Sequence, residues 1–181
     1  AICIYLSLGI FIFLFFDYSI SKIFYNINTQ TKSLFETLTN FGDSLYFFTP
    51  TILIWVIIKI IQNKNKILLT ISDISIFIFL NILFSGVIVQ IFKHLIGRPR
   101  PSLFHSNELT ALDFFNFNSS WHSFPSGHTA TIFACIFCLI FLFPKIKNIF
   151  ISVAIIIAFT RVIVGAHYVS DIFAGALVAY I

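Results

Sequence analysis

Charged residues are scarce in this chain of 181 amino acids, at 10% of the composition. Soluble domains carry roughly 25% charged residues, so the deficit excludes an ordinary soluble protein. Methionine is absent altogether, which means that no initiator residue is present. What the chain has instead is apolar: 59% of its residues are hydrophobic, 25 of them are phenylalanine, and the mean hydropathy is +0.99. This composition is typical of a membrane protein.

Six apolar runs fill most of the chain. Lipid offers no hydrogen-bond partner to the backbone, so each run is expected to be helical. Strands of a membrane barrel would alternate polar and apolar residues, and these runs do not. A span needs about 20 residues, and the first and last runs are shorter, so we expect the chain to be trimmed at both ends. The runs are 1–16, 45–61, 67–92, 129–143, 149–164 and 168–181.

The sequence therefore predicts an all-α fold, a polytopic membrane helical bundle with about six transmembrane helices. No repeat or linker divides the chain, so residues 1–181 are expected to form a single transmembrane domain. In the polar segment after the first run, Leu34, Phe35 and Leu38 have helical spacing. This predicts a short interfacial helix over residues 31–38, lying on the membrane surface.

Lysines give the expected orientation. Lys59, Lys64 and Lys66 surround one short turn, Lys145 and Lys147 surround another, and neither turn has an acidic residue. Positively charged turns stay in the cytoplasm. All five histidines and the acidic residues Asp17, Glu36, Asp43, Glu108 and Asp113 then fall on the opposite side. A functional site built from them faces away from the cytoplasm.

Three polar segments at the edges of apolar runs carry groups suited to phosphate chemistry. They are Lys93-x6-Arg100-Pro101, Pro125-Ser126-Gly127-His128 and Arg161-x5-His167-x3-Asp171. Arginine binds two phosphate oxygens at once and lysine supplies a point charge. Arg98 and Arg100 each precede a proline, which favours an extended backbone. Lys93 and Arg100 are thus candidate phosphate ligands, with Arg98 as a further candidate; membrane anchoring, the alternative, would place them on the other side.

The second segment comes just before an apolar run and so predicts a helix N-terminus, where free N–H groups favour an anion. Gly127 would let the backbone approach closely. The alternative is that Ser126 is only a helix cap and His128 a surface histidine.

In the third segment, Arg161 is a charge within an apolar run, which suggests function. His167 and Asp171 are four residues apart and would share a helix face. A carboxylate on one imidazole nitrogen leaves the other as a nucleophile. The alternative is a buried structural pair.

The order and spacing of the three segments resemble the type 2 phosphatidic acid phosphatase (PAP2) superfamily, over about residues 93–171. The resemblance implies an enzyme without metal or cofactor that works through a phosphohistidine. In it, His167 would attack phosphorus, Asp171 would orient His167, and His128 would protonate the leaving oxygen. The implied phosphate ligands are Lys93, Arg100, Ser126, Gly127 and Arg161.

The resemblance is greatest to small bacterial membrane lipid phosphatases. Their substrates are lipid A, undecaprenyl pyrophosphate or phosphatidylglycerol phosphate, and the Phe-rich linker before Ser123 favours lipid A. The expected location is the bacterial inner (plasma) membrane, with the site on the periplasmic or external face. The expected partners are the lipid phosphate and the bilayer. No basic face interleaved with aromatics suggests nucleic-acid binding, and no obligate protein partner is inferred.

Several alternatives stay open. A lipid phosphotransferase would use the same site. A transporter would place charges or broken helices mid-span, whereas here the charges cluster at span ends. Cys135 and Cys138 form a CxxC that could bind metal or be redox-active, but its mid-run position favours two small buried hydrophobes. A metal cluster of His94, His105 and His122 has no support in their spacing, and Asp73 has no assigned role.

Overall fold

The computed structural model describes residues 2–61, 65–107 and 111–181, and the side chains of all of these except residues 2, 3 and 107. Lys64 and Glu108, which entered the orientation argument, and the side chain of Cys3 lie outside the described part. Within that part the chain is helical and forms no strand beyond one isolated bridge. This confirms the predicted all-α fold.

Nine α-helices run through the described residues, in chain order. They are α1 (Ile2–Phe15), α2 (Asp17–Tyr25), α3 (Thr29–Thr39), α4 (Leu45–Ile61), α5 (Lys66–Ile96), α6 (Pro101–Asn107), α7 (Gly127–Leu142), α8 (Lys147–Ile163) and α9 (Val169–Tyr180). Short 3₁₀ turns lie at Asn40–Gly42, Ser119–Trp121 and Pro144–Ile146.

Each of the six apolar runs forms a helix, and α3 lies where a short helix over residues 31–38 was predicted. Two helices were not predicted. Helices α2 and α6 occupy segments that were expected to be loops, and both are short and mix polar with apolar residues. Such segments carry a weak periodic signal, because a helix of two turns shows each face only once or twice.

The helices differ in whether they are long and apolar enough to cross a membrane. Among the described residues, three helical stretches are long and apolar enough to cross a membrane: Thr29–Ile61, Lys66–Ile96 and Pro144–Ile163. The first of these includes α3, so its place on the membrane surface stays a prediction. Helices α1 and α2 would make a fourth if taken together, but they bend by 56° at their junction. Helices α7 and α9 are apolar but shorter. That all six apolar runs cross the membrane therefore remains a prediction.

Helix α7 lies at the centre of the bundle and packs against α5, α8 and α9. Ile78 and Ile82 of α5 meet Ala134, Cys135 and Cys138 of α7 in one buried cluster. Both cysteine thiols are free and buried, as the interpretation of the CxxC as two small hydrophobes requires. Large apolar side chains on α1, α4 and α5 are exposed instead and face outwards, where lipid would cover them.

The crossing of α7 and α9 is tight because residue 175 is glycine. A Cβ atom at Gly175 would lie 2.5 Å from the carbonyl oxygen of Ser126 and 3.0 Å from Cβ of Thr129. The main-chain N–H of Ser126 also donates to the carbonyl of Asp171, at 3.0 Å. The first turns of the two helices are thereby held together, which places the second and third polar segments side by side.

Substituting Gly175→Ala should force α7 and α9 apart, because the obstructing atom is backbone and cannot move alone. Overpacking of this kind typically costs about 1–3 kcal/mol. Gly86→Ala is the matched control, since Gly86 is also inside a helix but has no atom within 4 Å of its Cβ position. Thermal unfolding in detergent should show a lower midpoint for Gly175→Ala alone. Equal midpoints for the two variants would contradict the tight crossing.

Candidate active site

The three polar segments meet at one end of the bundle. Helices α5 and α8 end there, with Lys93 and Arg161 in their last turns, and α7 and α9 begin there. Ser126 caps α7, Asp171 lies in the first turn of α9, and His167 is in the loop between α8 and α9. Because successive long helices run antiparallel, segments that are far apart in sequence come together at the same end of the bundle.

A short extended connection aligns the first segment with the second. Helix α5 stops at Gly97, which has φ +54° and whose missing Cβ leaves room for the carbonyl of Asp113. Beyond it, Arg98 forms an isolated parallel bridge with His122. The N–H of Ser123 donates to the carbonyl of Arg98 at 3.0 Å. The extended backbone expected before proline is therefore present at Arg98.

The N-terminus of α7 faces a buried ammonium group. Ser126 is fully buried, and its hydroxyl accepts from the N–H of Thr129 at 3.4 Å. Nζ of Lys93 lies 3.7 Å from the position that a Cβ would take at Gly127. A helix N-terminus carries partial positive charge and favours anions. A lysine beside it is unfavourable by itself, so the pair is suited to an anion that contacts both.

Arg100 and Arg161 add two more cations near Lys93. Within residues 2–61, 65–107 and 111–181, none of the three lies in ion-pair contact with a carboxylate. Arg100 donates Nε to the carbonyl of Ser119 at 3.0 Å, and burial lowers the pKa of this arginine. Nε of Arg161 is buried without a hydrogen-bond partner. Buried N–H groups normally have a hydrogen-bond acceptor, and a bound anion would supply one for this nitrogen.

His167 is held as a neutral imidazole with one nitrogen occupied. Its Nδ1 donates to the carbonyl of Ser123 at 2.6 Å, and since a carbonyl can only accept, the proton must be on Nδ1. The tautomer leaves Nε2 with a free lone pair. The pKa of His167 is lowered to about 3, and burial is the largest cause. The ring is thus uncharged at neutral pH, the state that a nucleophile needs.

Asp171 contacts His167 less directly than the sequence suggested. Its Oδ2 lies 3.6 Å from Nδ1 of His167, beyond hydrogen-bond distance. That oxygen accepts instead from Oγ of Ser123 at 2.6 Å and from the N–H of Tyr168 at 2.9 Å. The Ser123 carbonyl, rather than the carboxylate, fixes the tautomer. Asp171 therefore acts on His167 in two ways, through Ser123 and as a charge 3.6 Å from the ring.

Arg98, the further candidate for phosphate binding, has other partners. Its Nη1 donates to Asp171 at 2.5 Å and its Nη2 donates to Asp17 at 2.8 Å. Both terminal nitrogens are therefore engaged with carboxylates. Arg98 belongs to the supports of the histidine loop, whereas Lys93, Arg100 and Arg161 form the cluster without carboxylate partners.

Residues 39–42 lie against the candidate site. Nη1 of Arg161 donates to Oγ1 of Thr39 at 3.1 Å. At the 3₁₀ turn that follows, a Cβ on Gly42 would lie 3.1 Å from Cβ of His128 and 3.3 Å from Cγ2 of Ile157. The end of α3 thus contacts Arg161, one of the candidate phosphate ligands, and the 3₁₀ turn after it contacts His128, the candidate proton donor.

The remaining histidines are occupied elsewhere. His94 donates to the carbonyl of Gln90 at 2.7 Å, His122 to the carbonyl of Asn116 at 2.9 Å, and His105 lies 3.0 Å from the hydroxyl of Ser21. In the described part of the chain no three His, Cys, Asp or Glu side chains are grouped as metal ligands. Asp73 is exposed on α5. That the site acts without a metal ion stays a prediction.

Sequence reasoning missed the residues that support the motifs. Asp17, Ser123, Ser170 and Thr39 all make buried or partly buried side-chain contacts at the site. Of these four residues, only Asp17 could have been singled out from the sequence, because it is the single acidic residue next to the first apolar run. The serines and the threonine resemble ordinary loop and helix residues until the fold brings them together.

More than half of the sequence matches a known protein family. The model of the PAP2 superfamily matches residues 75–181. The chain belongs to the PAP2 superfamily. That match includes all three polar segments and begins within α5, so Asp17 and α3 lie outside it.

Two curated relatives are Lipid A 1-phosphatases. The one from Rhizobium johnstonii is 38% identical and the one from Rhizobium etli 37% identical, each over 151 residues that make up 80% of this chain. These residues span 62% and 65% of the two relatives, so the chain matches less than two thirds of their length.

Two solved PAP2 structures share the fold. Aquifex aeolicus LpxE superposes with a TM-score of 0.63 at 23% identity, covering 89% of this chain and 87% of that one. The PAP2 type phosphatidylglycerolphosphate phosphatase of Bacillus subtilis gives 0.62 at 18% identity, covering 98% and 88%. At these identities the likeness concerns the fold.

Proposed function

We propose that this PAP2 protein is an integral-membrane lipid phosphatase that hydrolyses a phosphate ester or pyrophosphate through a phosphohistidine. One observation carries the proposal. A neutral, buried His167 with its Nδ1 proton tied to a carbonyl lies within electrostatic range of Lys93 and Arg161. The roles of the site residues are part of the proposal: His167, His128 and Asp171 are catalytic, and Lys93, Arg100, Ser126, Gly127 and Arg161 bind phosphate.

The proposed reaction gives each of these groups a step. Burial and the nearby Arg161 lower the pKa of His128 to about 4, so His128 takes up the proton that it donates when the anionic phosphate binds beside it. The lone pair on Nε2 of His167 then forms a bond to phosphorus, the phosphorus–oxygen bond of the ester breaks, and His128 gives its proton to the leaving oxygen. Water then attacks the phosphohistidine, with His128 taking up a proton, and the N–P bond breaks. Lys93, Arg100 and Arg161 stabilise the charge of the five-coordinate state. Because three cations are supplied by the chain, we expect no requirement for a divalent metal.

Lipid A is the substrate that we favour. The relatives at 37–38% identity carry the name Lipid A 1-phosphatase. The catalytic groups lie at the ends of apolar helices, where a phosphate on an embedded lipid meets them without leaving the membrane. Undecaprenyl pyrophosphate and phosphatidylglycerol phosphate offer the same chemistry. No nucleic acid or obligate protein partner enters the proposal.

The membrane location is proposed to be the bacterial inner membrane, with the site on the periplasmic or external face. The end of α4 at Lys59, the start of α5 at Lys66 and the connection at Lys145–Lys147 lie at the helix ends opposite the site, so a cytoplasmic place for these lysines puts the site outside.

Phosphate release from purified protein is the first test of function. Given lipid A, undecaprenyl pyrophosphate and phosphatidylglycerol phosphate in turn, the protein should release inorganic phosphate fastest from lipid A. Release should continue in excess chelator and stop with vanadate, which mimics five-coordinate phosphorus. Loss of activity in chelator that added divalent ion restores would contradict the metal-free mechanism. Appearance of the phosphate on a second lipid instead of in solution would identify a phosphotransferase.

The two histidines should respond differently to the leaving group. His167→Ala removes the nucleophile and should abolish turnover of lipid and aryl phosphate alike. His128→Ala removes a proton donor, and general acid catalysis contributes roughly 10²–10⁴-fold. An aryl phosphate has a good leaving group and needs that proton less, so His128→Ala should lose more activity on the lipid. Identical responses of the two variants would show that the roles are wrongly assigned.

Orientation can be tested by thiol labelling in a background where the three native cysteines are replaced by serine. Ser106 and Lys145 are both exposed, at opposite ends of the helices. A Ser106→Cys variant should react with an impermeant maleimide in intact spheroplasts, and Lys145→Cys only after lysis. The reverse pattern would place the site in the cytoplasm.

A further inference from the structure

Arg98 bridges two buried carboxylates beside the candidate active site. Its Nη1 contacts Asp171 at 2.5 Å and Ser170 at 2.8 Å, and its Nη2 contacts Asp17 at 2.8 Å. Asp17 also accepts from the N–H of Ser170 at 2.9 Å and from its hydroxyl. The exposed fractions of Arg98, Asp17 and Asp171 are 7%, 3% and 0%. The three charges therefore form a network that is almost closed to water.

The surroundings of Arg98 exclude it from phosphate binding. The guanidinium lies 4.0 Å from the ring centre of Tyr168 and 4.8 Å from that of Phe13. These rings cover its faces while the two carboxylates engage both terminal nitrogens. A phosphate could reach it only by breaking two buried ion pairs. Arg100, two residues later, has one hydrogen bond to a main-chain carbonyl and no carboxylate contact in the described residues.

The network extends to the nucleophile through single hydrogen bonds. Asp171, held by Arg98, accepts from the hydroxyl of Ser123 at 2.6 Å. The carbonyl of the same Ser123 accepts from Nδ1 of His167 at 2.6 Å. Position and tautomer of His167 thus depend on where Ser123 lies, and Ser123 is held by a carboxylate whose own position is set by Arg98 and, beyond it, Asp17.

We propose that Asp17 and Arg98 are positioning residues for His167. This inference rests on the proposed function, in which His167 is the nucleophile. Asp17 comes from α2, outside the residues 75–181 that match the family model, so the N-terminal part of the chain completes the support of the active site. Asp17 also balances Arg98, which leaves the carboxylate of Asp171 available to offset the charge that forms on His167 during attack.

Kinetics on matched variants test the proposal. Asp17→Asn keeps the shape and removes the charge. Arg98→Lys keeps the charge but cannot hold two carboxylates as a guanidinium does. Both should lower kcat by roughly 10- to 100-fold, the size of effect that misplacing a reacting group produces, with KM and vanadate affinity unchanged. Arg100→Lys is the matched control, since it lies in the same Arg-Pro repeat and should raise KM and weaken vanadate binding.

A second readout needs no substrate. The 2.6 Å hydrogen bond from Nδ1 of His167 should give a downfield proton resonance, assigned by its absence in His167→Ala. Asp17→Asn and Arg98→Lys should shift or broaden it, and Arg100→Lys should leave it in place. If the wild-type protein releases no phosphate from any lipid, the proposed function fails while this resonance still reports on positioning.

Two results would overturn the proposal. One is an Arg98→Lys variant that raises KM and weakens vanadate binding as Arg100→Lys does, because Arg98 would then be a phosphate ligand. The other is an Asp17→Asn variant with wild-type kcat and an unchanged His167 resonance. Should Asp17→Asn not fold, Ser170→Ala removes the hydroxyl shared by Arg98 and Asp17 and should produce a smaller change in the same direction.

Discussion

Repulsion among buried and half-buried cations is the constraint on which the rest of this structure depends. Lys93, Arg100 and Arg161 lie close together beside the N-terminus of α7, and in the described residues no carboxylate pairs with them. Buried unpaired charge raises the free energy of the folded state. The arrangement persists because each cation is fixed at the end of a helix or in a connection whose packing is set elsewhere in the bundle. The result is a site preorganised for a multiply charged anion.

The cations stay without a carboxylate partner because the nearby carboxylate, that of Asp171, has other partners. Asp171 is fully buried in the same region and would pair with a free cation if it could turn. Arg98, Ser123 and the N–H of Tyr168 occupy it instead. Charges are thereby sorted into two sets: a cationic cluster open to phosphate, and a paired network with one net negative charge. His167 lies between the two sets, where burial favours its neutral form. In the proposed reaction, both sets would assist its attack on phosphorus.

Most of the fold followed from the apolar runs, because bilayer physics allows few alternatives to helices. The clustering of Lys93, Ser126 and His167 followed from motif order and the antiparallel course of long helices. Helices α2 and α6 were missed because short mixed segments lack periodicity. The Arg98 network was missed for a different reason: its ion pairs join residues separated by 81 and 73 positions. No local pattern specifies which of two neighbouring arginines turns towards such partners.

Residues outside the family match determine what surrounds the phosphate site. Thr39 holds one terminal nitrogen of Arg161, and Gly42 packs against His128. The segment that carries both residues, α3 with the 3₁₀ turn after it, leads into α4 and lies against α8. In the proposed function, a phosphate bound to the free Nε of Arg161 would fit between this segment and the N-terminus of α7. The segment would then limit the shape of the headgroup that can reach the proposed catalytic groups.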